Sequence, residues 1–270
     1  MSRLKFISDN DFKKHVELTI KQYGDKLIPY RLEEFNSNIV DPIKLIFDKS
    51  VYRYTWEEII SNEIFRQRDK STNNDIGYFH QRIFQYMKNC TVPSGGWDVI
   101  FTKKDGIPLP DGDRVKTVYA EIKNKHNTMN SSSGAKTYMS MQSQLLSDDD
   151  CACFLVEVIA KQSQNIPWVV TLDEKRQKHR RIRRVSMDEF YALVTGEEDA
   201  FYQMCIALPE VIEEVIANLT VVTVPNDTVM EELREMARRK NGPIFLALYM
   251  LGFGTYRGFG SPRLNEFVLP

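Results

Sequence analysis

The chain has 270 residues, 42% hydrophobic and 27% charged, with a formal net charge of −1. That balance fits a globular protein with enough apolar material for a core that needs no disulfides. It argues against a disordered polyelectrolyte and against a chain drawn to nucleic acid by its overall charge.

The first ten residues, MSRLKFISDN, lack the apolar run and small-residue cleavage site of a signal peptide. The longest apolar stretch, around Pro243 to Phe253, is too short to span a bilayer. The expected location is the cytoplasm. Cys90, Cys151, Cys153 and Cys205 offer no second Cys or His pair at zinc spacing and read as small hydrophobes in a reduced compartment.

In chain order, Asn10-Asp11 can cap a helix from Phe12 to about Tyr23, with Phe12, Val16 and Ile20 at helical spacing. Pro29 and Asp41-Pro42 read as breaks. Thr55, with Glu58 three residues on, is a capping signal for a helix carrying Trp56, Ile59, Ile60 and Ile64. Ser71-Thr72-Asn73-Asn74 reads as a turn, after which Phe79, Ile83, Phe84 and Met87 mark another helix. The period then changes. Trp97–Thr102 and Lys116–Lys123 read as an antiparallel pair of strands joined by a long Gly/Pro/Asp connection from Lys103 to Asp113. A polar loop, Asn124 to Gly134, leads to a helix over about Ala135–Leu146. Cys151–Ile159 and Pro167–Leu172 are further strands. Helices follow at Met187–Val194, Ala200–Ala207, Val211–Leu219 and Thr228–Arg239. This order predicts an α/β fold, a central mixed sheet flanked by helices. One domain over 1–270 is expected: a helical N-terminal part (about 1–92), a core (about 93–185) and a helical C-terminal part (about 186–270). Residues from about 225 onward are a candidate subdomain.

The chemistry gathers on the strand pair. Strand alternation puts Glu121 and Lys123 on one face and turns Ile122 to the other. Asp98, at the start of the neighbouring strand, can converge with them at one sheet edge. Two carboxylates there, with the Ile122 backbone carbonyl as a third ligand, suit a hard divalent cation. The lysine beside them can orient or deprotonate a water. Taken alone, E-x-K is common on exposed strands, where cross-strand ion pairing explains it.

The segments GGWDVIF and YAEIKNKHNTMNSSSGAKTY, with EIFRQRDKSTNNDIGYFHQRIF upstream and DEFYALVTGEEDAFYQMCIALPEVI downstream, resemble PD-(D/E)XK nucleases, specifically type II restriction endonucleases that cut GGNCC-type sites. The resemblance runs through most of the chain. It implies a restriction-endonuclease-like fold, with Asp98 and Glu121 as metal-binding acids and Lys123 as the catalytic lysine. Trp97 stands where the family pattern has proline. Many such nucleases add a carboxylate from a helix before the first core strand; here the matching position holds Gln81, and Glu63 on the earlier helix is the alternative. Both are candidate accessory residues. The implied cofactor is Mg²⁺, with Mn²⁺ able to substitute. The implied substrate is double-stranded DNA, cut by a homodimer in a bacterial cytoplasm. A cognate DNA methyltransferase is expected as a partner in the system that does not bind directly. A repair or junction-resolving nuclease of the same fold and a non-catalytic DNA-binding module stay open as alternatives.

Two segments are candidates for DNA contact. In the polar loop and the helix after it, Lys125, Asn127, Asn130 and Lys136 suit phosphate oxygens. The run Lys175–Arg184 carries eight basic or histidine side chains. Its arginines Arg176, Arg180, Arg181, Arg183 and Arg184 can neutralise phosphates or read guanine, although such a run is more often a solvated face. The Gly252–Gly260 segment reads as a tight turn.

Overall fold

The computed structural model describes residues 3–26, 29–172, 174–218 and 226–254. The leading helices are α1 (Asp9–Asp25), α2 (Leu32–Ser37), α3 (Pro42–Tyr52) and α4 (Trp56–Arg82), followed by a 3₁₀ turn at Ile83–Tyr86. The sheet is built from β1 (Cys90–Thr91), β2 (Val99–Pro108), β3 (Arg114–Lys125), β4 (Cys151–Ile159), β5 (Asn165–Leu172) and β6 (Lys175–Ser186). Helix α5 (Ser131–Ser147) stands between β3 and β4. Helices α6 (Met187–Thr195), α7 (Ala200–Ala217), α8 (Val229–Arg239) and α9 (Ile244–Phe253) complete the described chain.

The strands form one mixed sheet in the order β1-β2-β3-β4-β6-β5. β2 and β3 are antiparallel, β3, β4 and β6 run parallel, and β5 returns antiparallel at the edge. Parallel neighbours need a crossover, and α5 supplies it between β3 and β4. β4 is flanked by parallel strands on both sides, which explains its near-continuous apolar sequence. Alternation sends Ala152, Phe154 and Val156 into one core with Ala120, Ile122 and Phe190. Cys153 and Leu155 face the other way and meet Tyr138 and Met141 of α5. The α/β expectation therefore stands.

The described residues divide into two compact units, one within Met1–Lys21 and Asn74–Thr220, the other within Gln22–Asn73 and Val221–Pro270. The first holds the whole sheet. The second has its own core, with Phe35, Leu45, Ile60, Leu233 and Leu248 buried together.

Several boundaries differ from the sequence reading. Ser71–Asn74 is not a turn but part of α4. Its polar side chains are satisfied locally: Thr72 Oγ1 donates to the Asp69 carbonyl and Asn73 Nδ2 to the Asp69 carboxylate. Asp41-Pro42 starts a helix and does not break one: Asp41 accepts from the N–H groups of Ile43 and Lys44, and Pro42 at the first helical position lacks only an N–H that would be unpaired anyway. The Thr55–Glu58 capping box forms in both directions. β2 runs through the predicted connection to Pro108, with an irregular register between Thr102 and Ile107, so the true turn is Leu109 to Asp113. Asn130 caps α5 four residues earlier than expected. Pro209 lies inside α7, which is one helix because its buried face, Met204, Val211 and Val215, continues past the proline. The basic run is itself strand β6. The predicted turn at Gly252–Gly260 lies largely outside the described residues.

Candidate active site

Asp98 sits one residue before β2, where its N–H still donates to the Ala120 carbonyl at 3.1 Å. From there its Oδ2 accepts from the Ile122 N–H at 2.7 Å, in a position where the strand pairing of β2 has ended. A strand residue directs its N–H and C=O to the same neighbour, so the Ile122 carbonyl faces this open edge as well. Glu121 and Lys123 flank Ile122 on the α5 face of the sheet, with Lys123 Nζ donating to Glu121 Oε1 at 2.7 Å. Both are partly buried. Asp98, Glu121 and Lys123 thus converge as the alternation argument predicts.

Burial pushes the Asp98 carboxyl up to about 6. The Ile122 N–H acts against the rise, the Glu121 charge adds to it and Lys123 opposes it. The cause is physical: a half-sheltered carboxylate next to a second acid holds its proton more tightly than one in water. A cavity of about 250 Å³ opens beside Glu121, lined by Gly96, Trp97, Lys136, Thr137 and Ser140. The groups beside it that could hold a cation are hard donors: the Asp98 and Glu121 carboxylates and the Ile122 carbonyl. Among the described residues no cluster of three or more Asp, Glu, His or Cys side chains is arranged to hold a metal. A cation here would therefore take its remaining oxygens from water and substrate phosphate, as Mg²⁺ commonly does.

The accessory candidates are differently placed. Glu63 lies in the second unit, buried, where Arg66 and Gln67 donate to its carboxylate. Gln81 is half-buried near the end of α4, in the first unit with the sheet.

The DNA candidates divide into exposed and engaged groups. Lys125, Asn127 and Lys136 are exposed, and Lys136 lines the cavity beside Glu121. The Asn130 side chain is used in capping α5, accepting from the Ser133 N–H at 2.8 Å. Within β6, Arg176 is exposed, and Arg180 is exposed with an ion pair to Asp113 at 3.2 Å. Arg181 donates to Asp113 at 2.8 Å. Arg183 is a buried side chain, held by Asn165 Oδ1 and the Asn165 carbonyl, both at 2.6 Å, and does not offer its guanidinium to a ligand. Arg184 binds Glu157. Alternation along β6 turns successive arginines to opposite faces, so one run of charge serves two purposes.

Glu157 was missed in the sequence reading. It sits on β4 in register with Lys123. A lone acid inside the apolar run CACFLVEVI was the available signal, because a buried strand tolerates a charge only with a partner.

The family model of the Eco47II restriction endonuclease matches residues 4–217, a span that contains the whole sheet and the three converging residues. The chain belongs to the Eco47II restriction endonuclease family. The chain is also similar to the type II restriction enzyme Sau96I of Staphylococcus aureus, 28% identical over 246 residues that cover 88% of this chain and 90% of that protein. The type II restriction enzyme Eco47II of Escherichia coli is 28% identical over 228 residues, covering 80% of this chain and 90% of that one. Membership makes the protein a type II restriction enzyme, a site-specific deoxyribonuclease acting on double-stranded DNA, and sets aside the non-catalytic binding module. Among the described residues no helix is long and apolar enough to cross a membrane.

Proposed function

We propose that this restriction endonuclease hydrolyses one phosphodiester bond in each strand of a GGNCC-like site, using Mg²⁺ held by Asp98, Glu121 and the Ile122 carbonyl, with Lys123 assisting the attacking water. The observation that carries the reading is the meeting of Asp98 with Glu121-Ile122-Lys123 at the open edge of β3. A divalent cation bound there supplies a Lewis acid for the scissile phosphate. Lys123 Nζ, released from Glu121 when that carboxylate is engaged elsewhere, orients the water and offsets charge on the phosphate oxygens. The Ile122 N–H keeps the Asp98 carboxylate turned toward Glu121 through its bond to Oδ2.

A palindromic site implies a two-fold symmetric homodimer with one active site for each strand. On this reading the cations Lys125, Lys136 and Arg176 meet phosphates, a role their exposure supports, and a cognate methyltransferase guards host sites without binding this chain. Cytoplasmic action in a bacterium follows from that role. The test is digestion of a plasmid of known sequence with Mg²⁺ or Mn²⁺, with and without EDTA, followed by end mapping. Discrete fragments with ends at GGNCC-like sites, lost in EDTA, are expected. Cuts governed by DNA structure and not sequence would favour a repair or junction-resolving enzyme.

A further inference from the structure

Strand β4 is buried as far as Glu157, whose side chain is 1% exposed. Alternation places that carboxylate on the face shared with Cys153 and Leu155, the face on which Glu121 and Lys123 stand, and register sets it beside Lys123. Its Oε1 accepts from Arg184 Nε at 2.9 Å and from Arg184 Nη2. The same Nη2 donates to the His126 carbonyl at 2.8 Å. Oε2 accepts no hydrogen bond from the described residues.

Such a pair is a poor choice for stability alone. Removing two charges from water offsets much of their attraction, a bare oxygen adds to that cost, and an apolar pair of equal volume would do as well. What the pair does supply is direction. It aims the guanidinium of a third strand at the backbone three residues beyond Lys123. There the His126 N–H is also tied to the Ile159 carbonyl at 3.0 Å.

We propose that Glu157 is a positioning residue for cleavage: it orients Arg184, which clamps the His126 carbonyl and fixes the end of β3 that carries Lys123. This rests on the catalytic assignment of Lys123 made above, but the clamp itself is measurable without cleavage. In the full-length protein, Glu157→Gln keeps side-chain volume while weakening the pull on Arg184, and Arg184→Met removes the donor to His126. Hydrogen exchange of the backbone amides of residues 124–130, without DNA, should be faster in both variants than in wild type. Single-turnover cleavage at saturating DNA should fall about tenfold to a hundredfold in Glu157→Gln, as expected for a misplaced catalytic group, while its DNA affinity stays at the wild-type level. Unchanged exchange in both variants overturns the clamp whether or not the protein cuts DNA. Faster exchange with wild-type cleavage, or a rate loss matched by lost affinity, overturns the positioning role. A wild-type protein that cuts no DNA while the clamp loosens as expected overturns the assignment of Lys123, and with it the positioning role. Should Glu157→Gln fail to fold, Arg184→Met carries the exchange test from the less buried partner.

Discussion

Asp98 Oδ2 accepts a hydrogen bond from the Ile122 N–H at 2.7 Å, tying the carboxylate that precedes β2 to the middle residue of Glu121-Ile122-Lys123. The bond replaces a rung of the ladder between β2 and β3. It therefore fixes the acid against the strand that carries Glu121 and Lys123, so the meeting of the three proposed catalytic residues is set by backbone geometry and not by long side chains finding one another.

Lys123→Ala should abolish cleavage and leave specific DNA binding in place, because the proposed DNA contacts lie at Lys125, Lys136 and Arg176 and not at Nζ. Asp98→Ala should also abolish cleavage and in addition weaken divalent-cation binding. Gel-shift affinity with Ca²⁺ alongside single-turnover cleavage with Mg²⁺ checks both. Wild-type rates in either variant would remove the assignment.

The raised Asp98 carboxyl makes a signed prediction for the cation-free protein. Unfolded, the group ionises near 3.8; folded, near 6. The unfolded state therefore loses its proton first, and stability falls as pH rises from about 4 to about 6, then levels off. The full difference corresponds to about 3 kcal/mol, and partial solvent exposure reduces it to roughly 1–2 kcal/mol. Asp98→Asn, which keeps an acceptor for the Ile122 N–H, should be more stable than wild type by that amount at pH 7 and equal to it near pH 4. Urea titrations in EDTA at the two pH values measure this, and a pH-independent difference would contradict it.

Arg176 and Arg183 lie in one basic run and should behave in opposite ways. Arg183→Ala leaves Asn165 Oδ1 without its donor and opens a cavity, and should cost roughly 2–4 kcal/mol of stability. Arg176→Ala should leave stability unchanged, weaken binding to all DNA sequences alike and flatten the log–log salt slope by about one. Denaturation curves and salt-dependent binding separate the two. A destabilised Arg176→Ala would mean that the exposed end of β6 is structural.

Glu63→Gln should keep the wild-type cleavage rate and lose about 1 kcal/mol of stability, since the neutral amide weakens the charge-assisted bonds from Arg66 and Gln67 that already engage this carboxylate. Gln81→Glu should retain activity and tighten cation binding, since an extra carboxylate favours a hard cation. Cleavage rates over a Mg²⁺ series decide. A severe rate loss in a folded Glu63→Gln would recruit that carboxylate to catalysis after all.

The sequence by itself determined the family, the alternating strands and which face of β3 carries Glu121 and Lys123, the residues proposed for catalysis with Asp98. These depend on short-range rules: period two along a strand sets Glu121 and Lys123 on one face whatever surrounds them, and the Thr55–Glu58 cap is complete within four residues. What only the tertiary structure decided is which charges are free. Arg183 and Arg176 look alike in a run of cations, yet Arg183 is buried against Asn165 and Arg176 is exposed, because the hairpin of β5 and β6 brings Asn165, 18 residues earlier in the chain, within reach of the Arg183 guanidinium. Glu157 acquires its meaning in the same way. Its neighbours Lys123 and Arg184 lie 34 and 27 residues away, brought alongside by the parallel order of β3, β4 and β6. Alternation is local and can be read from the chain; strand order and register are settled by which apolar faces bury together, and that is a property of the whole fold.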